Sequence, residues 1–128
     1  MGNGTELGRV RGLGSAHAGT HHWLLQRFTA IGNLALGLFL AVSFALMSSH
    51  DYGAMKEWIA RPVPATATAL FVISSFWHAR LGLQVLIEDY VHTPGNKFAT
   101  IAALNLAAFG GAAFALFSII RLALGGAA

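Results

Sequence analysis

Cysteine is absent from this 128-residue chain. That excludes disulfides and any cluster held by the chain's own thiolates, and for a membrane protein it says nothing about compartment. Charge is nearly as scarce, with eight Lys or Arg and five Asp or Glu in a chain that is 55% apolar. So little polar sequence is too little to surface a soluble domain built on buried helices. The formal charge is +3, but the basic residues are scattered and make no patch or stripe of the kind a nucleic-acid footprint requires. No secretory signal is visible in Met1–Gln26, because no apolar core precedes a small-residue cleavage site. Gly2 invites a myristoylation reading, yet the position that should hold Ser or Thr is Glu6. Arg9, Arg11 and Ser15 leave a mitochondrial transit peptide open, although the segment is Gly-rich and poor in arginine. Residues 1–20 are expected to be a retained arm that a partner orders.

Three long apolar windows remain: Phe28–Met47, Ala65–Ile87 and Phe98–Ile120. Each is long enough for a bilayer core, which takes about 20 apolar residues as a helix. Hydrocarbon offers the backbone no hydrogen-bond partners, so a helix is the natural spanning form. The sequence therefore predicts an all-α membrane protein with three transmembrane helices at about 25–49, 65–90 and 97–123, the anchor domain covering 21–128. Trp23, Leu24 and Leu25 resemble an interfacial anchor with Arg27 snorkelling beside it. Ser48–Pro64 forms the first loop, with Met55–Ala60 as a short interfacial helix and Pro62-Val63-Pro64 as a breaker. Val91–Lys97 forms the second loop, turning at Pro94-Gly95. Arg9, Arg11, Arg27 and Lys97 outweigh Lys56, Arg61 and Arg121, the last group being offset by Asp51 and Glu57. The positive-inside tendency then puts the N-terminus and the Asp89-Tyr90 end on the cytoplasmic or matrix side. Small residues recur every four positions at Gly37, Ala41 and Ala45, and at Ala103, Ala107, Gly111 and Ala115. Such stripes are enriched where membrane helices touch, although Ala and Gly are common in any apolar helix.

The chemistry concentrates in Trp77–Val91. An imidazole and a guanidinium are costly in hydrocarbon, so His78 and Arg80 are functional candidates on physical grounds. Asp89 follows His78 by three helical turns on the same face, about 16 Å away. Ser74 and Gly82 flank His78 one turn either side, which would let a flat macrocycle lie against the helix. The plainer reading of His78 is a hydrogen bond to a neighbouring helix. Zinc is disfavoured, because no second His, Cys or carboxylate sits three or four residues away. Haem asks for one His per helix, and the other histidines fit poorly as its second ligand. His92 is about 21 Å farther along, His50 belongs to the opposite loop, and His17, His21 and His22 precede the first span. If haem binds here, its other ligand comes from another polypeptide. Asp89 and Tyr90 also have an ordinary reading, as interface anchors, and the His17–His21 spacing reads as surface polarity.

The run His78–Val91, with Gly82 one turn after the histidine and Asp89-Tyr90 at its end, resembles the second transmembrane helix of the hydrophobic membrane anchor of succinate dehydrogenase (respiratory complex II). His22-Trp23-Leu24-Leu25-Gln26-Arg27-Phe28-Thr29-Ala30-Ile31 resembles the start of that family's first helix, and the resemblance covers about residues 20–124. It implies a non-catalytic anchor of succinate:ubiquinone oxidoreductase. Such an anchor pairs with a second three-helix chain, of the cytochrome b556 type, around a shared haem b. The resemblance also implies two soluble partners, an iron–sulfur protein and a flavoprotein. By the same resemblance His78 is an axial haem ligand, Tyr90 hydrogen-bonds ubiquinone, Asp89 supports that site, and Arg27 lies in the quinone and propionate region. Arg80 departs from the pattern: it points about 200° away from His78 and has a propionate, a partner chain or snorkelling open to it. The Gly-rich arm resembles bacterial members, which places the chain in a bacterial inner membrane ahead of a mitochondrial one. Two other readings stay open. A small proton or ion transporter would also bury lone ionisable groups, although the first and third spans carry no acid. A haem-free quinone-reactive anchor would keep Tyr90 and make His78 dispensable.

Overall fold

The structure, a computed structural model, describes residues 19–125. The expected arm lies outside the described residues except for Gly19 and Thr20, which already belong to the first helix. Four helices follow one another: α1 (Gly19–Ala45), α2 (Tyr52–Ala60), α3 (Pro62–Tyr90) and α4 (Pro94–Ala123). No strand occurs among the described residues. At 27, 29 and 30 residues, α1, α3 and α4 are each about 40–45 Å long, enough for the hydrocarbon core and both headgroup layers. All three are apolar enough to cross a membrane. The chain is a multi-pass membrane protein.

The helix ends fall where the backbone chemistry puts them, and several of them differ from the expected positions. Pro62 and Pro64 were expected to break the chain before a helix starting near 65. Instead Pro62 occupies the first turn of α3. There its fixed φ suits the helix and its missing N–H is one that would have no intrahelical acceptor. Pro94 does the same for α4, so the turn expected at Pro94-Gly95 is helical and only Val91–Thr93 link α3 to α4. The first helix also starts and ends earlier than about 25–49, running from Gly19 to Ala45. The interfacial helix α2 extends beyond Met55–Ala60 because Asp51 caps it: the Asp51 carboxylate accepts the Ala54 N–H at 2.8 Å. Trp58 then ties α2 to the end of α1, its Nε1 donating to Ser43 Oγ at 2.9 Å.

α3 is the central helix. It packs against α1 on one side and α4 on the other, α2 touches α3 and α4, and α1 and α4 do not meet. Close approach comes from glycine at single points. A Cβ on Gly37 would lie 3.2 Å from the Phe71 ring, and one on Gly111 would lie 2.6 Å from Phe76. Gly32 similarly leaves room for Ser74. Most of the rest of the two expected small-residue stripes is turned outward: Ala41, Ala45, Ala103 and Ala107 are exposed, and Ala115 is half-buried. Hydroxyls within the spans are satisfied locally, as where Thr68 donates to Pro64 O and Ser118 to Phe114 O. Very little is buried. Ile59, Pro64, Ala67, Leu81 and Ile87 qualify, while α1 and α4 bury no residue. Large apolar side chains such as Phe28, Leu34, Leu38, Phe98 and Phe114 stand exposed, which is tolerable only in lipid or against other membrane helices.

Candidate functional site

A line of polar groups runs along the seam between α1 and α3. On α1 it comprises His22, Gln26, Thr29 and Asn33, spaced by four, three and four residues so that all lie on one face. Opposite them α3 offers Gly82, His78, Ser75 and Ser74. Ser75 Oγ donates to Asn33 Oδ1 at 3.3 Å, and Ser74 Oγ donates to the Thr29 carbonyl at 3.2 Å. Gln26 Nε2 comes within 3.4 Å of where a Gly82 Cβ would stand. The face expected to receive a flat macrocycle, Ser74 to Gly82, is therefore covered in part by α1. His22 and Gln26 are half-buried, which corrects the placing of His22 before the first span, while His21 is exposed as expected. His17 lies outside the described residues.

His78 is the centre of this seam. Its Nδ1 lies 3.0 Å from Thr29 Oγ1. The Thr29 hydroxyl has one proton, and it donates that proton to the Leu25 carbonyl at 2.8 Å, with the Gln26 carbonyl at 3.1 Å. With its proton on the Leu25 carbonyl the hydroxyl offers His78 only lone pairs, and the contact then calls for the Nδ1–H tautomer. This leaves Nε2 as the ring's lone-pair nitrogen, the state a metal-binding imidazole needs, with its other nitrogen held by a neighbour. The donor set fits haem iron at one axial position. No cluster of three or more His, Cys, Asp or Glu that could hold a bare metal ion occurs among the described residues. His50 precedes α2 and His92 follows α3, so neither stands beside His78.

Arg80 faces the other way, towards α4. Its Nε donates to Asn105 Oδ1, and its guanidinium lies 5.9 Å from the ring centroids of both Trp77 and Phe109. Neither Asn105 nor this pairing was foreseen. An asparagine in an apolar run gives no periodic signal, whereas the α1 residues Gln26, Thr29 and Asn33 could have been found by their common face. At the far end of α3, Asp89 is exposed and Tyr90 is 77% exposed. The phenol and the carboxylate are thus presented at the membrane boundary, free of the helix packing. Arg27 is exposed on α1, its guanidinium 5.2 Å from the Trp23 ring centroid. A groove between the two helix ends is lined by His22, Trp23, Gln26, Gly82, Gln84 and Glu88. Two buried atoms facing this seam, His22 Nε2 and Gln26 Oε1, have no hydrogen-bond partner among the described residues.

Known proteins resemble this chain in sequence. Residues 1–112 match the family model for the succinate dehydrogenase/fumarate reductase transmembrane subunit. Among curated proteins, the succinate dehydrogenase hydrophobic membrane anchor subunit of Paracoccus denitrificans is 36% identical over 120 residues, covering 91% of this chain and 89% of the relative. Its counterpart in Rickettsia bellii is 36% identical over 101 residues, or 79% and 81% of the two chains. The succinate dehydrogenase membrane anchor subunit of Reclinomonas americana is 30% identical over 94 residues, or 71% and 78%. With a match that spans most of its length, this three-span chain belongs to the succinate dehydrogenase/fumarate reductase transmembrane subunit family and is a membrane anchor subunit, not an enzyme by itself.

Proposed function

We propose that this chain is the hydrophobic membrane anchor of a succinate:ubiquinone oxidoreductase, where it supplies one axial ligand to haem b and part of the ubiquinone site. The observation that carries this reading is the state of α3. One helix presents, within an apolar span, a histidine whose Nε2 bonds no described residue, and an exposed Asp89-Tyr90 pair at its end. Partners follow from what the chain lacks. It has no cysteine for clusters and one candidate ligand at the haem position, so an iron–sulfur protein, a flavoprotein and a second three-helix chain of the cytochrome b556 type complete the assembly. The Gly-rich arm's resemblance to bacterial members supports a bacterial inner-membrane location, and the excess of Arg9, Arg11, Arg27 and Lys97 supports an N-terminus on the cytoplasmic side.

Within that assembly the flavoprotein would oxidise succinate to fumarate, and the iron–sulfur protein would deliver the two electrons to the membrane boundary. Ubiquinone takes up those electrons and two protons to become the quinol. The Tyr90 hydroxyl donates to a quinone carbonyl and stabilises the negative charge that builds there on reduction, as a preorganised donor does. Asp89, one residue before it, supports the phenol's orientation, and Arg27 adds positive potential where the quinone or a propionate lies. Haem held at His78 supplies a one-electron store whose potential the surrounding protein sets.

Tyr90→Phe tests the quinone assignment in the intact complex. Tyr90 is mostly solvent-exposed, so the change leaves the fold unperturbed. Succinate oxidation with a water-soluble dye is expected to persist, while kcat/KM for a short-chain ubiquinone drops by about 100-fold. Equal quinone kinetics in the two proteins would remove Tyr90 from the site. Quinone reduction that needs no soluble partner, or ion flux in vesicles holding this chain alone, would favour the transporter reading.

A further inference from the structure

We infer that Thr29 is a positioning residue for His78: it fixes the imidazole tautomer and ring orientation, and through them the electronic character of the bound iron. The inference rests on the proposal that His78 ligates haem, and it extends that proposal to a residue on a different helix.

The argument is one of proton accounting and of bracing. Thr29 Oγ1 delivers its proton to the Leu25 carbonyl at 2.8 Å within its own helix. It therefore meets His78 Nδ1, at 3.0 Å, as an acceptor. A neutral imidazole whose Nδ1 bears the proton must present its lone pair at Nε2. The Thr29 backbone is itself held by α3, because Ser74 Oγ donates to the Thr29 carbonyl at 3.2 Å. Ser74 comes that close because Gly32 has no Cβ, where one would stand 3.3 Å from the Ser74 oxygen. Ser74 and His78 lie one turn apart on α3, so a single residue of α1 is gripped at two points of one face. The contact favours one ring orientation and one tautomer before any ligand arrives. An acceptor on Nδ1–H also raises the basicity of Nε2, which favours the ferric form of an iron bound there.

The experiment uses the purified whole complex with Thr29→Val, Thr29→Ala and Thr29→Ser. Val keeps the size and β-branching while removing the acceptor, Ala guards against a packing artefact, and Ser restores the hydroxyl. Haem content is read optically, the ferric low-spin signal by electron paramagnetic resonance, and the midpoint potential by redox titration. Val and Ala are expected to retain haem and to move the midpoint positive. An order-of-magnitude change in the ferric-to-ferrous affinity ratio corresponds to about 59 mV for one electron. The ferric g-values should shift as the ring turns, and Ser should match the wild type in both readouts. Haem-loaded Val and Ala complexes with wild-type potential and g-values would overturn the inference while leaving His78 as ligand. Failure of both to assemble, with Ser assembling, would overturn it too, by making the hydroxyl a structural tie. A wild-type complex without haem, or haem retained in His78→Ala, would instead overturn the underlying proposal and the inference with it.

Discussion

Arg80 shows how a charged residue is kept at membrane depth. It lies ten residues before Tyr90, about 15 Å inside the boundary that Tyr90 marks. On insertion scales a central arginine costs about 2.5–3.5 kcal/mol. Here the cation gains a side-chain carbonyl, Asn105 Oδ1, and the faces of Trp77 and Phe109, each ring contact being worth about 0.5–2 kcal/mol. These contacts sit on the helix face away from His78, so Arg80 joins α3 to α4. Asn105→Leu should therefore lower the stability of the assembled complex by about 1.5–3 kcal/mol, the usual worth of a hydrogen bond to a charged group. Thermal inactivation of the complex reads this. Arg80→Leu combined with Asn105→Leu should recover part of the loss, because no unpaired cation remains; equal damage in the single and double variants would contradict the pairing. His78 and Arg80 were both legible in the sequence, since a titratable residue in an apolar run identifies itself. Their partners were not. Thr29 and Asn105 are ordinary residues until two helices bring them opposite a ring nitrogen and a guanidinium.

At the scale of elements, α2 depends on one carboxylate. Asp51 accepts the Ala54 N–H and the Ser49 hydroxyl, and these bonds, the backbone one foremost, hold its carboxyl below the ordinary value of 3.8. A group depressed in the folded state contributes stability that is complete above its unfolded value and lost as pH falls through its lower folded value. Hydrogen-exchange protection over residues 54–60 should therefore decline below about pH 4 in the wild type. Asp51→Asn, which caps without titrating, should keep its protection there. The same acid loss in both would show that another group controls α2. The spans themselves were legible from their length and lack of charge, but their ends and seams were less so. Pro62, Pro64 and Pro94 looked like breakers because proline interrupts a helix interior, and they are the same residues that a first turn accepts most readily. The four-residue stripes traced one ridge of each helix. Packing follows a seam that alternates steps of three and four: on α1 it takes Gln26, Thr29, Asn33, Leu36, Leu40 and Ser43, all half-buried, the pattern by which left-handed helix pairs keep facing each other.

The whole molecule is a row of three helices that cannot be complete alone. α1 and α4 bury nothing and do not meet, so two broad apolar faces remain for lipid and for the helices of another chain. In the proposed function His78, with its Nδ1 held at Thr29, offers Nε2 to a ligand shared with that chain. The family was readable from Trp77–Val91 because the His-to-Asp-Tyr spacing lies within one helix, where sequence distance is spatial distance. What a second polypeptide contributes has no trace in this one. The central claim is thus that His78 holds haem b jointly with a partner chain. The most direct test is a reduced-minus-oxidised optical spectrum of the purified complex, wild type against His78→Ala, with succinate–dye activity confirming that the soluble partners are attached. A bis-histidine b-type signal is expected in the wild type and is lost in the variant. A haem signal of the same size and shape in both proteins would contradict that claim.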